Sequence, residues 1–592
     1  MTPPDRDPSR ALRIGNCSGF FGDRLAALRE MVVGGPLDVV TGDYLAELTM
    51  LILFRTQAKD PTRGYAATFL RQLEDVLGEI VDRGVRVVVN AGGLNPAGCA
   101  GAVRGLADKL GVSLPVAHVE GDDVRGVGGI PVGSVTANAY LGGWPIAAAL
   151  AGGAQVVITG RCTDAALVCG PAAWWHAWGR DDWNALAGAV VVGHVLECGT
   201  QATGGNYSFF QEVPGLEHPG FPLAEVHADG SAVITKHPGT GGLVSVGTVT
   251  AQLLYEIGAP LYGGPDVVTD FATIALEQEA PDRVRVSGVR GAPPTGQLKV
   301  ATNSIGGLRN SMTFVLTGLD VEEKADLVRR TLDPRLAGLR EVTWNLARTD
   351  QADADSEQAA SAQLTVTVKD SDPDKVGRGF SSLAVEIALA SYPGCTLTSP
   401  PGDGAPYGVY TPVYVDKRLV TPTVVHADGR REEVAHTRRP EPGTFESGAP
   451  AGLVSTFGRE TPVEIETVTL PVASEGGSVP TRRIPLGAIA GARSGDKGGD
   501  ANVGVWVGTE LLWTWLASFL DADRVRALLP EAKDLPVTVH ALPNLRAVNV
   551  VIEGILGEGV ASSTRFDPQA KGLGEWLRSR VVDVPVLLLA DQ

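Results

Sequence analysis

The sequence predicts an α/β fold in three parts: a mostly parallel-sheet N-terminal domain, a second α+β lobe and a small C-terminal α+β domain. The first observation behind this prediction is that strand-like and helix-like segments alternate over the first third of the chain. The alternation then gives way to short strands separated by Gly- and Pro-containing turns, and a loose Pro- and Gly-rich stretch near residues 440–480 precedes a compact final module. The predicted boundaries are 11–223 and 224–460 for the two lobes, 461–482 for a linker and 483–592 for the last domain.

The N-terminal domain is predicted from two hydrophobic periods that alternate along the chain. The segments 63–82 and 96–109 carry apolar residues at helical spacing, and Gly84 ends the first of them. The β-branched run 85–90 (VRVVVN) is typical of a strand buried on both faces. Because strands and helices alternate, we expect a mostly parallel sheet with helices on both sides. The predicted strands are 11–15, 37–41, 85–90, 115–119 and 155–159.

The second lobe and the C-terminal domain are predicted from shorter signals. Helices are expected at 321–331 and 381–390, and strands at 364–369 and 409–415. The final module has the pattern strand and loop, helix, two strands, helix and strand, which is close to a ferredoxin-like split βαβ arrangement. Its elements are expected at 483–507, 511–529, 536–541, 547–555, 573–581 and 584–589.

Charge and cysteine content limit the classes of function. The formal net charge is −18, from 68 acidic and 50 basic residues, and a field of that sign opposes binding to nucleic acid or to an anionic membrane. The N-terminus lacks the apolar segment of a signal peptide, and the longest apolar stretch, near 145–158, is too short to span a bilayer. Six cysteines lie far apart without CxxC or zinc-ligand spacing, which is typical of reduced thiols in a cytoplasmic protein.

Glycine is unusually frequent, with 74 Gly and 39 Pro among 592 residues, and three Gly-containing loops share one design. Each follows a predicted strand and precedes a helix, so each is expected at the carboxyl edge of the parallel sheet, where open α/β folds bind ligands. Backbone N–H groups in such loops can face a phosphate or carboxylate, although a plain tight turn explains each loop taken singly. The candidate ligand-binding residues are Asn16 and Ser18 in the first loop, Asn90, Gly92, Gly93 and Asn95 in the second, and Arg161 in the third.

None of these loops matches the dinucleotide or P-loop fingerprint, so the sequence signals no nicotinamide, flavin or nucleotide cofactor.

Two predicted helix starts add charged candidates. Arg161 would hold an anion while Asp164, three residues later, would serve as a base. Asp43 and Glu47, four residues apart after another strand, could share a site in the same way. Helix capping and a surface ion pair are the alternatives.

The run from His194 to Asn206 (HVLECGTQATGGN) carries the densest chemistry. His194 and Glu197 could form an acid–base pair, and Cys198 could supply a thiolate nucleophile, with a buried structural thiol as the alternative. The glycines of this run, Gly204 and Gly205, are candidate ligand-binding residues.

A second run, 235–242 (TKHPGTGG), places Lys236 beside His237 ahead of a Gly-rich turn. Both are catalytic candidates, Lys236 as part of an anion cradle and His237 as a proton carrier, and a polar β-turn is the alternative. Gly241 and Gly242 are the ligand-binding candidates of this run. No ligand spacing in either run singles out a metal.

Two further runs could line a ligand site. In the last domain, the run 491–502 (GARSGDKGGDAN) is expected to be a Gly-rich loop that joins two strands, with Arg493 and Lys497 placed for an anion and an exposed turn as the alternative. A tryptophan cluster could enclose a long apolar ligand or pack beneath a loop. The cluster consists of Trp174, Trp175, Trp178 and Trp183.

Together, these runs resemble the acyclic terpene utilisation protein AtuA family over about residues 11–460. The matching segments are CSGFFGDR, TGDYLAE, NAGGLNP, GRCTDAAL, HVLECGTQATGGNY and KHPGTGGLVSVGTVTAQLLYEIGAP. The terminal module, with ARSGDKGGDANVGV, LPNLRAVNVVIEGILGEGV and FDPQAKGLGEWL, is similar to the ferredoxin-fold domain that accompanies this family. The family takes its name from gene clusters that degrade citronellol- and geraniol-type terpenoids through branched acyl-CoA thioesters, so the resemblance implies that substrate class but no catalytic residues.

The resemblance and the residues together predict a cytoplasmic catabolic enzyme that acts on a branched or isoprenoid acyl-CoA or a related carboxylic acid. Hydratase or carbon–carbon lyase chemistry is expected, because both need a positioned acid–base pair and a cradle for an oxyanion. Coenzyme A would enter as part of the substrate, and no other cofactor is assigned. The alternative is a non-catalytic binding or assembly subunit that partners an acyl-CoA carboxylase or hydratase. A homo-oligomer is expected, and the missing dinucleotide fingerprint disfavours a dehydrogenase.

Overall fold

The computed structural model describes residues 6–438 and 480–589. These residues form two compact units, which consist of 6–303, 411–438, 480–560 and 569–589 for the first and of 304–410 and 561–568 for the second. The predicted linker lies outside the described residues except for its last positions, 480–482. The α/β fold class predicted from the sequence is confirmed.

The described residues form the strands β1–β26 and the helices α1–α14, numbered in chain order. The first part of the chain contains β1 (Leu12–Asn16), α1 (Ala27–Val33), β2 (Val39–Gly42), α2 (Glu47–Lys59), α3 (Ala67–Arg83), β3 (Arg86–Val89), α4 (Pro96–Leu110), β4 (Val116–Glu120), β5 (Thr136–Ala139), α5 (Trp144–Ala151), β6 (Val156–Thr159), α6 (Ala166–His176), α7 (Trp183–Leu196), β7 (Pro222–Val226), β8 (Ala232–Lys236) and α8 (Val246–Leu253). The middle part contains β9 (Leu261–Gly263), β10 (Val268–Asp270), β11 (Ala275–Ala280), β12 (Arg283–Ser287), β13 (Arg290–Ala292), β14 (Gln297–Thr317), α9 (Val321–Leu336), β15 (Glu341–Ala347), β16 (Ser361–Asp370), α10 (Pro373–Val376), α11 (Arg378–Glu386), β17 (Thr396–Leu397), β18 (Ala405–Asp416), β19 (Thr423–Val425) and β20 (Arg431–Glu433). The last part contains β21 (Thr481–Pro485), β22 (Ala490–Lys497), β23 (Asp500–Val507), α12 (Glu510–Phe519), α13 (Ala522–Leu528), β24 (Val537–Leu542), β25 (Ala547–Ile552), α14 (Leu573–Ser579) and β26 (Val581–Pro585).

The largest sheet of the first unit has eleven strands in the order β11-β12-β8-β7-β1-β2-β3-β6-β4-β19-β20. Its middle strands β1, β2, β3, β6 and β4 pair in parallel, and Ile14 lies opposite Val39 in this register. Antiparallel strands extend the sheet at both edges. The parallel centre therefore comes from the alternating N-terminal segments, as the sequence predicts.

Helix α3 illustrates how the hydrophobic pattern places a helix on this sheet. Its side chains Phe69, Leu73, Leu77 and Ile80 recur at helical spacing and are fully buried. Burial of each side chain of this kind stabilises the fold by about 1.5–3 kcal/mol. The helix ends at Gly84, whose φ of 66° is the left-handed conformation that glycine adopts without steric cost.

The C-terminal domain has a four-stranded antiparallel sheet in the order β22-β23-β25-β24, which carries α12, α13 and α14, and a separate β21–β26 pair. This is the ferredoxin-like module that the sequence predicts, with two corrections. The single helix predicted over 511–529 is two helices, because Asp521 accepts a hydrogen bond from Arg524 N (2.7 Å) and starts α13 as its N-cap. The last strand predicted over 584–589 ends at Pro585, and 586–589 form a short 3-10 helix.

The run 491–502 is also corrected, since it is not a loop but most of the β22–β23 hairpin. Its glycines serve close packing. A Cβ on Gly491 would lie 2.3 Å from the ring of Trp506, and one on Gly495 would lie 2.6 Å from the ring of Tyr255. Glycine at these two positions therefore lets neighbouring groups approach the strand backbone closely.

The second unit contains the sheet β15-β16-β14-β17 with helices α9 and α11. Its core includes Phe314, Leu364 and Phe380, which are at most 1% exposed. Among the helices of the described chain, none is long and apolar enough to cross a membrane. All six cysteines are free thiols.

Candidate functional site

Four charged side chains collect where the parallel strands end. β2 ends at Gly42 and is followed by Asp43 and Glu47. Strand β6, which β3 separates from β2 in the sheet, ends at Thr159 and is followed by Arg161 and Asp164. Parallel strands bring their carboxyl ends to one sheet edge, so these side chains lie in one region, as the sequence predicts.

Asn90, which follows β3, holds Asp43 in place. Its Nδ2 donates to Asp43 Oδ1 (2.6 Å), and its Oδ1 accepts from Tyr44 N (2.7 Å). Burial raises the pKa of Asp43 well above its ordinary value, and the charge of Asp164 adds to the rise, against the charge of Arg161. Burial also raises the pKa of Asp164. The two carboxyl groups therefore retain a proton more readily than isolated carboxylates do.

Arg161 is the buried cation of this sheet edge. Its Nη1 donates to Leu45 O (2.7 Å), its Nη2 lies 3.3 Å from Asp164 Oδ1, and its Cζ lies 4.3 Å from the centre of the Tyr140 ring. The side chain of Arg161 is 3% exposed, whereas that of Asp164 is 32% exposed. Asp164 is thus desolvated enough to raise its pKa, although about a third of its side chain is exposed.

Glu47, the first residue of α2, contacts two more groups at this sheet edge. Its Oε1 accepts a hydrogen bond from Tyr140 OH (3.2 Å) and lies 3.6 Å from Lys299 Nζ. Burial raises the pKa of Glu47, but the charges of Lys299 and Arg161 outweigh it and lower the pKa to about 2. Glu47 is therefore ionised at neutral pH and pairs with Lys299.

The last turn of α7 adds an acid–base pair. His194 Nδ1 lies 3.0 Å from Glu197 Oε1, and the imidazole packs against the rings of Tyr262 and Phe271. Burial raises the pKa of Glu197 to about 7, against the charge of His194, and the charge of Asp164 adds to the rise. Burial lowers the pKa of His194, but the charge of Glu197 outweighs it, so the pKa of His194 is raised. Glu197 can therefore exchange a proton near neutral pH, and its charge favours the protonated form of His194.

Cys198 follows this pair directly. Burial raises the pKa of its thiol well above the ordinary value, and the charges of Glu197 and Glu256 add to the rise. A thiolate is therefore disfavoured, and the nucleophilic role predicted for Cys198 has no support in its surroundings. Its backbone instead packs against the first strand-end loop, where a Cβ on Gly19 would lie 2.5 Å from the carbonyl carbon of Cys198.

The C-terminal domain contributes Lys497 at the end of β22. Its Nζ donates to Glu256 O (2.6 Å) and lies 5.5 Å from the centre of the Tyr262 ring. Burial lowers the pKa of Lys497, and the charge of Lys299 lowers it further. The other charges that act on it belong to Glu256, Glu47 and Glu197. Lys497 therefore interacts with groups from the strand ends, α7 and β14. We name this set of residues the central recess; it consists of Asp43, Glu47, Tyr140, Arg161, Asp164, His194, Glu197, Lys299 and Lys497.

A second set of charges borders the central recess beside Tyr255. Lys571 Nζ lies 3.0 Å from Glu256 Oε1 and 3.5 Å from Asp496 Oδ1, and it stacks 4.5 Å from the centre of the Tyr255 ring. Arg493 stacks 4.3 Å from the same ring. Burial raises the pKa of Asp496 to about 7, helped by the charge of Glu256 and opposed by that of Lys571. An ion-pair network of Glu256, Lys571 and Asp496 therefore borders this side of the recess.

Two fully buried asparagines dock the C-terminal domain onto the end of α8. Asn502 donates from Nδ2 to Leu254 O (2.7 Å) and accepts at Oδ1 from Glu256 N (2.9 Å). Asn549 donates to Gly258 O (2.7 Å) and accepts from Asn502 Nδ2 (2.9 Å). Since these bonds satisfy backbone groups around Glu256, they also set the position of that carboxylate.

Lys236 and His237 have other partners. Lys236 Nζ lies 3.1 Å from Asp282 Oδ2 and donates to Thr240 O (2.8 Å). His237 Nε2 lies 2.8 Å from Met31 O, and burial lowers the pKa of His237. These contacts hold the turn after β8 and bring neither residue to the central recess. The predicted catalytic pair is therefore explained by structural contacts.

The glycines predicted to hold an anion use their N–H groups within the protein. Gly92 N donates to Thr159 O (3.0 Å), and Gly93 N donates to Asn90 O (3.3 Å). In place of an anion cradle, the loop provides close packing and an N-cap, because Asn95 Oδ1 accepts from Gly98 N (2.9 Å). The other predicted glycine amides are bonded in the same way: Gly204 N to Gln201 O, Gly205 N to Thr200 O and Gly242 N to Pro214 O, while a Cβ on Gly241 would lie 2.3 Å from Gly215 O.

Asn16 and Ser18 support the site indirectly. Asn16 Oδ1 accepts from Ser18 N (2.9 Å), and Ser18 O accepts from Asp43 N (2.9 Å). Both are at most 1% exposed, so their role is to position the backbone of Asp43.

The tryptophan cluster packs mainly into the core. Trp175 Nε1 donates to Arg10 O (3.2 Å), and Trp178 Nε1 donates to Ala228 O (2.8 Å). Trp174 and Trp144 line a separate cavity of about 340 Å³, whose lining includes no residue of the central recess. The predicted enclosure of a ligand tail therefore does not arise at the recess.

Several residues of the recess carried no signal in the sequence. Tyr140 and Lys299 lie in segments without a motif, and Lys571 lies in a segment noted only for its resemblance. Tyr255 and Glu256 belong to the segment LLYEIGAP, whose resemblance to a known family could have pointed to them. Within the described residues, no group of three or more His, Cys, Asp or Glu side chains is placed to hold a metal ion.

A family model described as acyclic terpene utilisation family protein AtuA matches residues 12–426. The chain belongs to the AtuA family. A model of the AtuA ferredoxin-like domain matches residues 484–583. No curated protein and no solved structure gives a significant match.

Membership of the AtuA family places the chain in acyclic terpene utilisation. The central recess draws on both matched regions of this AtuA-family chain. Asp43, Arg161, Glu197 and Lys299 lie in the first region, and Lys497 lies in the ferredoxin-like domain. Both matched regions therefore contribute residues to the central recess.

Proposed function

We propose that this AtuA-family chain is an enzyme that performs general acid–base chemistry on a branched acyl-CoA or a related carboxylic acid. Hydratase and carbon–carbon lyase reactions are the two forms of that chemistry that we consider. The observation that carries the proposal is the pair His194 and Glu197, which are 3.0 Å apart, buried and shifted in pKa, beside a recess lined by several cations.

The acid–base pair is suited to proton transfer at neutral pH. An efficient general acid or base has a pKa near the working pH, and burial raises the pKa of Glu197 to about 7. The carboxyl groups of Asp43 and Asp164, whose pKa values are raised, are a second pair of groups in the same recess that can hold a proton. A hydratase would use one group to deliver a proton to carbon and another to activate water.

The cations of the recess are suited to an anionic substrate. Arg161 and Lys299 both lie against the Tyr140 ring, 4.3 Å and 4.9 Å from its centre. Lys497, from the C-terminal domain, is close enough for its charge to interact with those of Lys299 and Glu47. A carboxylate or a developing thioester enolate would be stabilised by these fixed charges. Coenzyme A enters the proposal only as part of the substrate.

The alternative function is a binding or assembly subunit that partners an acyl-CoA carboxylase or hydratase. The ferredoxin-like domain would then offer its surface to another chain. Against this, its residues Asn502, Asn549 and Lys497 are committed to contacts within this chain, and Lys497 enters the recess. These contacts favour the catalytic proposal. The homo-oligomer and the cytoplasmic location stay predictions of the sequence.

The test begins with ligand binding and continues with turnover. Branched acyl-CoA thioesters at millimolar concentration should raise the melting temperature of the purified protein, and those that do should be converted when incubated with it. Glu197→Gln keeps the shape of the side chain and should lower kcat/KM by about 100- to 10,000-fold. The matched control is Glu225→Gln, a half-exposed carboxylate on β7 that pairs with Arg283, and it should leave turnover unchanged.

Two results would overturn the proposal. One is that no acyl-CoA or carboxylic acid stabilises the protein. The other is that Glu197→Gln and Glu225→Gln have the same turnover as the wild type, because the acid–base pair would then have no part in the reaction. Recovery of a partner enzyme from the native host together with unchanged turnover in Glu197→Gln would instead favour the assembly subunit.

A further inference from the structure

Three lysines face the central recess, and their surroundings differ. Lys299 Nζ lies 3.6 Å from Glu47 Oε1, and Lys571 Nζ lies 3.0 Å from Glu256 Oε1. Lys497 has no carboxylate within 4.0 Å among the described residues, and its hydrogen bond goes to the backbone oxygen of Glu256. Two of the three are therefore ion-paired ammonium groups, whereas Lys497 is not.

The position of Lys497 is typical of an amine that reacts. Its side chain is only partly accessible, and its Nζ lies 5.5 Å from the centre of the Tyr262 ring. The charge of Lys299 on β14, which has the same sign, acts on it. Desolvation and a neighbouring cation are the two conditions that activate lysine as a nucleophile.

The pKa directions agree with this geometry. Burial and the charge of Lys299 lower the pKa of Lys497, while the carboxylates Glu256, Glu47 and Glu197 oppose the shift. For Lys571, burial also lowers the pKa, but Glu256 outweighs it and the pKa is raised. Lys497 and Lys571 thus differ in the direction of their pKa shifts as they differ in their contacts.

We propose that Lys497 is an amine nucleophile that forms an imine with a ketone or aldehyde carbonyl of the substrate. This inference rests on the proposed function and selects the carbon–carbon lyase over the hydratase. The substrate class is then a carbonyl compound that also carries an anionic group, such as a 3-oxo acid or a β-hydroxy ketone with a carboxylate, and the neighbouring cations Lys299 and Arg161 would bind the anionic group.

The reaction balances without an external oxidant or reductant. The neutral amine of Lys497 adds to the carbonyl carbon, and the oxygen leaves as water after protonation by an acid such as Glu197 or His194. The resulting iminium accepts the electron pair of the carbon–carbon bond that breaks, which forms an enamine and releases the other fragment. A carboxylate leaves as carbon dioxide, whereas a hydroxyl-bearing carbon leaves as a carbonyl product after its hydroxyl proton passes to the conjugate base of the acid that protonated the leaving oxygen. Protonation of the enamine carbon and addition of one water molecule release the second fragment and restore the amine.

The test is reductive trapping in the full-length protein. Acetoacetate serves as the probe, because it carries a ketone and a carboxylate, and sodium borohydride reduces an imine to a stable secondary amine. Peptide mapping by mass spectrometry then locates the adduct. Lys299 and Lys571 are controls within the same sample, since they face the same recess but are ion-paired.

The expected result is an adduct on Lys497 at more than about ten times the level on Lys299 or Lys571, since the reactive form is the neutral amine and a tenfold difference corresponds to one pKa unit. Lys497→Arg, which keeps the positive charge, should lose the adduct; the wild-type map decides the matter even if this variant does not fold. Absence of an adduct, or equal labelling of the three lysines, would overturn the inference.

The two proposals fail in different ways. If Glu197→Gln loses turnover but no adduct forms on Lys497, the imine is refuted and acid–base chemistry stands. If the adduct forms and Glu197→Gln keeps full turnover, the role of Glu197 is refuted and the reactive lysine stands.

Discussion

Replacement of Asn549 by alanine tests whether the ferredoxin-like domain sets one wall of the recess. Asn549 Nδ2 donates to Gly258 O (2.7 Å) and Ile257 O (3.1 Å), and its Oδ1 accepts from Asn502 Nδ2 (2.9 Å). The side chain is fully buried, so water cannot replace these bonds. At about 1 kcal/mol for each bond, Asn549→Ala should lower the free energy of local opening by about 3 kcal/mol.

Hydrogen exchange followed by mass spectrometry measures this opening directly. A loss of about 3 kcal/mol should speed amide exchange in peptides that cover residues 254–258 by about 100-fold, since each 1.4 kcal/mol is a factor of ten. The matched control is Asn544→Ala, because Asn544 Nδ2 also donates two bonds, to Phe271 O and Ile274 O (both 2.9 Å), but its side chain is exposed. The reasoning is refuted if Asn549→Ala changes the exchange of 254–258 no more than Asn544→Ala does.

Cys198→Ser should keep turnover within about tenfold of the wild type, because the thiol is not ionised, whereas loss of a true nucleophile costs about a million-fold; steady-state kinetics decides between the two. Burial raises the pKa of Asp266 from 3.8 to about 6, so this group favours folding below pH 3.8 and loses about 3 kcal/mol as the pH rises through 6. The variant Asp266→Asn lacks that dependence. The melting temperature of the variant, relative to that of the wild type, should therefore rise between pH 4 and pH 8, and parallel profiles of the two proteins would contradict this. Gly504→Ala should destabilise the protein by about 1–3 kcal/mol, because its Cβ would lie 2.4 Å from Leu254 Cβ. Gly508→Ala should leave the stability unchanged, because its Cβ would meet no atom within 4 Å. Equal urea midpoints for the two variants would refute the close packing at Gly504.

The strand-end part of the site could be predicted because its information is local. A β-branched run such as 85–90 predicts a strand by itself, and the residues after it then fall at the carboxyl edge of a parallel sheet. Asp43, Arg161 and Asp164 were found in this way, and His194 with Glu197 lie at the spacing of one helical turn.

The same local patterns also selected the glycines and the pair Lys236 and His237 as site residues, although their contacts lie within the protein. A Gly-rich loop after a strand has the same pattern whether its N–H groups face a ligand or the protein. Gly92 N donates to Thr159 O, on the neighbouring strand, and that partner cannot be read from the loop sequence. Likewise, His237 is held by Met31 O, which lies 206 residues away along the chain.

By itself the sequence determined the alternation of strands and helices, the edge at which the polar loops meet and the family to which the chain belongs, because these depend on periodicity and on contiguous motifs. Only the tertiary structure decided that Lys497 meets Glu256 across 241 residues of chain, and that Lys299 pairs with Glu47. Charges interact through space and without regard to their order along the chain, so the pKa of Lys497 and the composition of the central recess depend on the packing of three distant segments.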